Sequence, residues 1–116
     1  MISITIFRRK KNQICGFQVK GHAEYGPYGK DILCSAVTAL VFNTINSIEA
    51  LTLEPIEYEY KSEGGFIRCH FLNASKSDLG QDAKLLVESM LLGLSHIQKD
   101  YGNEYIQIID EEVELC

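Results

Sequence analysis

Residues 15–51 read CGFQVKGHAEYGPYGKDILCSAVTALVFNTINSIEAL, and the change of rhythm inside them decides the fold. Cys15, Phe17 and Val19 alternate with Gly16, Gln18 and Lys20, the period-two pattern of a strand with one apolar face. From Asp31 onward Leu33, Val37, Leu40, Val41, Ile45, Ile48 and Leu51 recur at three-and-four spacing, which is helical, and Pro55 follows the stop. Between the two patterns lies a connector with three glycines (Gly21, Gly26, Gly29), Pro27 and two tyrosines.

Working outward, Ile2, Ile4 and Ile6 alternate with Ser3, Thr5 and Phe7, which predicts a first strand. Arg9-Lys10-Lys11-Asn12 reads as a solvated hairpin turn joining it to the second, and Arg8–Lys11 as an exposed basic tip. Residues 56–62 and 66–72 predict two more strands, with Glu63-Gly64-Gly65 supplying the turn between them. A second helix is expected from about Ser77 to Tyr101, burying Leu85, Leu86, Met90, Leu91, Leu94 and Ile97, with Gly102 as its stop. Residues 105–109 read as a last strand and Asp110–Glu114 as an acidic tail. The order ββαββαβ predicts a two-layer α+β fold, a mixed sheet with two helices on one face, in one domain over 1–116.

Composition narrows the function. The 116 residues are 46% hydrophobic and 23% charged, as in ordinary globular proteins. Eleven basic residues against sixteen acidic ones give a net charge of −5, so binding to nucleic acid is not required of it. The charge is uneven: residues 1–20 hold five bases and no acid, and residues 21–116 hold six bases against sixteen acids, a net −10. The apolar runs read as shorter than the roughly 18 residues a bilayer span needs, and the alternating N-terminus does not read as a secretory signal, so a cytoplasmic protein without a membrane partner is expected. Cys15, Cys34, Cys69 and Cys116 form no CxxC pair and read as cytosolic thiols, not as a disulfide framework.

The connector carries the chemistry. A glycine-rich loop is costly to order unless it moves or binds something, and Tyr25 and Tyr28 are unusual in a plain connector. With Asp31 as N-cap, Cys34 falls at the third helical position, where unpaired N–H groups and the macrodipole favour a thiolate. His22, at the end of the second strand, is placed so that the loop can fold its imidazole back to that thiol. A cysteine and histidine so arranged suffice for nucleophilic acyl transfer, with helix-start N–H groups as oxyanion donors. The plainer reading is a small buried hydrophobe and a surface histidine; the position beside the glycine–tyrosine loop favours the catalytic reading. Cys69 and His70 alternate across a strand and cannot form a close pair. His22, Cys34, Cys15 and Cys69 lack metal-ligand spacing, so no metal or cofactor is expected. Cys15 reads as core, His96 as a surface or structural residue, and Glu57, Glu59 and Glu63 as the solvated side of a strand.

Gly21-His22-Ala23, Gly26, Gly29, Asp31-Ile32 and Cys34-Ser35-Ala36 together resemble the signature of the ribosomal-processing cysteine protease family, Prp. The resemblance extends along the chain, including the Glu63-Gly64-Gly65 turn and the second helix. It implies a cytoplasmic endopeptidase that removes a short N-terminal extension from a large-subunit ribosomal protein (number twenty-seven) after a Phe-Phe-type sequence. It also implies a homodimer with a mobile loop over the site. On this resemblance Cys34 is the nucleophile, His22 the general base and Asp31 a cap or orienting group. Gly21, Tyr25, Gly26, Tyr28 and Gly29 then belong to the peptide-closing loop. Ser35 stands where alanine is frequent and Thr38 where serine is frequent; Thr38 keeps the hydroxyl. The competing readings are a non-catalytic ribosome-associated binding module and a thiol hydrolase or transferase for small molecules, which would need a closed pocket.

Overall fold

The computed structural model describes residues 1–10, 13–21, 29–61 and 65–116, the first three helical residues (29–31) by their backbone only. The elements are β1 (Ile2–Arg9), β2 (Gln13–Gly21), α1 (Gly29–Leu51), β3 (Ile56–Lys61), β4 (Phe66–Phe71), α2 (Gln81–Tyr101) and β5 (Ile106–Glu112). The strands form one mixed sheet in the order β3-β4-β2-β1-β5, antiparallel except where β5 runs parallel to β1. The α+β architecture and its ββαββαβ order are as the sequence predicts.

One face of the sheet is dry. Ile2, Ile4 and Ile6 of β1, Phe17 and Val19 of β2, Ile67, Cys69 and Phe71 of β4 and Ile106 of β5 are buried there. Against them pack Leu33, Val37, Val41, Ile45 and Ile48 of α1 and Ala83, Val87, Met90 and Leu94 of α2. The Phe17 and Phe71 rings sit 6.1 Å apart and tilted at the centre. Truncating a buried ring of this kind costs about 3–5 kcal/mol. The two helices approach closely at Gly93, where a Cβ would meet Leu40 Cδ2 at 2.7 Å. Ile32–Leu51 is, against the sequence reading, long and apolar enough by itself to cross a bilayer. In this fold its apolar stripe is spent on the sheet.

Several boundaries differ from the sequence reading, each for a local reason. Helix α2 begins at Gln81, not near Ser77, because residues 73–77 close turns of their own, with the N–H groups of Lys76 and Ser77 donating to the Asn73 carbonyl. Its N-cap, Gly80, has no side chain to cap with, and its N–H donates to the Glu54 carboxylate at 2.9 Å. The buried stripe of α2 is Ala83-Val87-Met90-Leu94; Leu85 points to solvent, and Leu86, Leu91 and Ile97 are half-buried at the margins. At the other end Gly102 does stop the helix, with φ +97° and its N–H bonded to the Gln98 carbonyl. Strand β5 runs on through Asp110, Glu111 and Glu112, so most of the expected acidic tail is strand.

The basic hairpin tip is also partly folded in. Arg8 Nε donates to Asp110 Oδ1 at 2.8 Å, and Arg9 donates to the Ser75 carbonyl at 2.8 Å. Both side chains are half-buried, whereas Lys10 is exposed; Lys11 lies outside the described residues.

The cysteine reading needs the largest correction. Cys15 and Cys116 are joined in a disulfide across 101 residues of sequence. The register explains how they meet. Gly16 pairs with Phe7 and Ile14 with Arg8, which leaves Cys15 as the extra residue of a β-bulge. Ile14 and Cys15 are both buried in the core, as expected of Cys15, but Ile14 takes the helix-facing position that alternation assigns to Cys15. The C-terminal segment, started by a bond from the Val113 N–H to the Arg8 carbonyl, reaches back to Cys15 across the end of β1. Spacing rules see cysteines near in sequence; this pair is near only in the sheet.

Candidate active site

Strand β2 ends at Gly21, and its geometry there admits no other residue. Its φ is +97°, and a Cβ would run into the Met1 carbonyl oxygen on the neighbouring strand. A cleft of about 170 Å³ opens at this point. Its floor is Ile2, Val19 and Ile67 from the sheet, and one wall is Cys34, Val37 and Thr38 from α1. Tyr60 and Gly65, from the β3–β4 hairpin, form the opposite wall.

Cys34 is half-buried, packed against the core on one side and facing the cleft on the other. Helix α1 starts at Gly29, so Asp31 stands inside the first turn and is not the N-cap. Cys34 becomes the sixth helical residue, in the second turn. The unpaired N–H groups of such a helix belong to residues 29–32, and the dipole's influence fades beyond that turn. The helix start thus lies a turn farther from the thiol than the sequence reading places it. Glycine and lysine at 29 and 30 give no capping signal, which is why the earlier start is not visible in the sequence.

The second reduced thiol is different. Cys69 lies in β4 on the dry face, 1% exposed, and is pushed up to about 12 by burial, with the nearby Glu49 carboxylate adding to the shift. It is held protonated and inert at neutral pH. His70 faces the other side of the sheet, as alternation requires, and His96 is exposed. No group of three or more metal-ligating side chains occurs among the described residues.

Of the residues singled out in the sequence, the structure brings Gly21 and Cys34 to one cleft and sets Gly29 and Asp31 in the first turn above it. His22, Tyr25, Gly26 and Tyr28 lie outside the described residues. Sequence reasoning missed Tyr60. Alternation marks it only as one side of a strand, yet its ring packs edge-on against Phe42 of α1, 5.0 Å between centroids, at the mouth of the cleft.

A half-buried thiol on α1, bordering a cleft at the end of β2, fits a cysteine peptidase, and comparison with known proteins agrees. The profile described as Cysteine protease Prp matches residues 1–107, and the chain belongs to that family. It is 34% identical over 102 residues, 87% of this chain and 90% of the relative, to the ribosomal processing cysteine protease Prp of Bacillus subtilis (strain 168). It is also similar to two crystal structures of the S. aureus ribosomal processing protease Prp. The complex with a covalently linked product peptide matches at TM-score 0.80 and 29% identity, covering 96% of this chain and 100% of that one. The complex with a substrate peptide matches at TM-score 0.81 and 28% identity, with the same coverage. The chain is an enzyme of the cysteine protease class, and the reading of a non-catalytic binding module falls. Residues 108–116, with most of β5 and Cys116, lie beyond the family match.

Proposed function

We propose that this protease removes the short N-terminal extension of a large-subunit ribosomal protein, number twenty-seven, during ribosome assembly, with Cys34 as nucleophile and His22 as general base. The observation that carries the reading is the contrast among the four cysteines. Two are joined in a disulfide and Cys69 is buried and held protonated, all three beside another cleft, whereas Cys34 is half-buried and borders the cleft at the end of β2, the strand that precedes the segment containing His22. In this reading the imidazole takes the thiol proton, sulfur attacks the scissile carbonyl, and the proton is returned to the departing amine. Water then hydrolyses the thioester. Ribosomal proteins are basic as a class, so the net −10 of residues 21–116 favours their capture, chiefly through the on-rate. The enzyme works as a homodimer here, and the exposed Ile32, Leu85 and Leu92 on the two helices offer apolar surface for a second copy.

Incubation with the extended ribosomal protein, followed by mass spectrometry of the new N-terminus, tests the reading. The expected result is one cut at the extension junction, abolished by His22→Ala and by Cys34→Ala. No new N-terminus, or cleavage that survives Cys34→Ala, overturns it.

A further inference from the structure

Strand β3 ends the sheet, and no strand of the described residues lies beyond it. Which of its main-chain groups face outward can be read from one bond. The Leu72 N–H donates to the Pro55 carbonyl at 3.1 Å, so residues 55 and 72 form a hydrogen-bonded pair of the antiparallel ladder. Such pairs alternate, which turns Glu57, Glu59 and Lys61 toward β4 and turns the N–H and C=O of Ile56, Tyr58 and Tyr60 to the open edge. The side chains sort by face as well. Tyr58 and Tyr60, 43% and 52% exposed, share the face of their partners Cys69 and Ile67, while Glu57 and Glu59 lie on the opposite face. Arg68, across from Glu59, sits over the Phe7 ring at 5.8 Å and is drawn toward the middle of the sheet, leaving the glutamates toward the edge. Pro55 and Lys61 bound this edge, residues of the kind that limit edge pairing; between them it carries tyrosine and glutamate in alternation and reaches the Cys34 cleft at Tyr60.

We propose that the peptide substrate adds to the sheet as an extended strand along the open edge of β3, bonding to the main chain of Tyr58 and Tyr60. This rests on the peptidase reading above. Alternate substrate side chains then lie beside the tyrosine rings and beside Glu57 and Glu59. The edge therefore selects apolar groups on one face of the peptide and basic groups on the other.

The test uses the full-length enzyme and synthetic peptides spanning the extension junction, each N-methylated at one amide outside the scissile bond. Strand addition predicts a period of two. Methylation at every second residue raises KM about tenfold, the loss of one main-chain hydrogen bond with little change in kcat, and the residues between tolerate it. A charge swap sharpens the result: Glu59→Lys weakens cleavage of a peptide with lysine at the facing position, and glutamate at that peptide position restores it. Cleavage of all peptides with no alternation and no response to the swap overturns docking on β3 and leaves the peptidase reading intact. Failure to cleave any peptide of the series, methylated or not, overturns both.

Discussion

Strand β2 meets sulfur at both ends and uses it in opposite ways. At its beginning a bulge turns Cys15 out of the helix-facing row and into a covalent bond with Cys116. At its end Gly21 turns the chain out of the sheet beside Cys34, whose thiol faces a cleft. The first end is closed and belongs partly to a segment outside the family match; the second is open and lies wholly within it. Whether a cysteine beside β2 is bonded or faces a cleft thus follows from how that strand begins and ends.

The two ends can be broken separately. Cys34→Ala should lower peptide cleavage by at least about 10⁴-fold, the scale seen when a nucleophile is removed, while the thermal transition stays in place. A variant that keeps its activity would place the chemistry elsewhere. Cys116→Ser should do the reverse, leaving cleavage within about twofold and lowering stability. A cross-link closing a loop of this length contributes up to about 4–5 kcal/mol by restricting the unfolded chain. Equal denaturant midpoints with and without the bond would show that the clasp does no thermodynamic work.

The smallest effect concerns Cys69, the thiol that belongs to neither end. Because folding raises its pKa from 9.0 to about 12, the unfolded chain loses that proton first as pH rises. Stability tied to this group is fully present below pH 9.0 and is lost progressively between there and about pH 12. Cys69→Val should flatten this alkaline limb in pH-dependent urea melts. An unchanged slope would mean that other groups set it.

The sequence made the helices and strands legible because their periods are strong. The isoleucines of β1 and the run from Leu33 to Ile48 each fit one template only. Offsets of a single residue were not legible. The pattern Ile14-Cys15-Gly16-Phe17 supports either phase before the bulge, and only the pairing with Phe7 and Arg8 decides it. The start of α1 at Gly29 and of α2 at Gln81 depends on contacts outside the helices or on residues that give no capping signal. Cys34 and Gly21 stood out because their positions are chemically odd. Tyr60 did not, since its place beside the cleft follows from the order of strands, and strand order is a property of the whole sheet.

That order also sets a schedule. β1 lies between β2 and β5, and its partner on one side is separated from it by 104 positions, Ile2 opposite Ile106. During synthesis β1 and β2 can zip up at once, but the other edge of β1 stays unsatisfied until residues 106–112 have emerged. Pairings so distant in sequence form slowly and leave a sticky strand exposed in the meantime. Cys15, made early, waits equally long for Cys116. The chain therefore completes this sheet only once residues 106–112 are available, and a peptidase built in this way gains its finished scaffold late in folding.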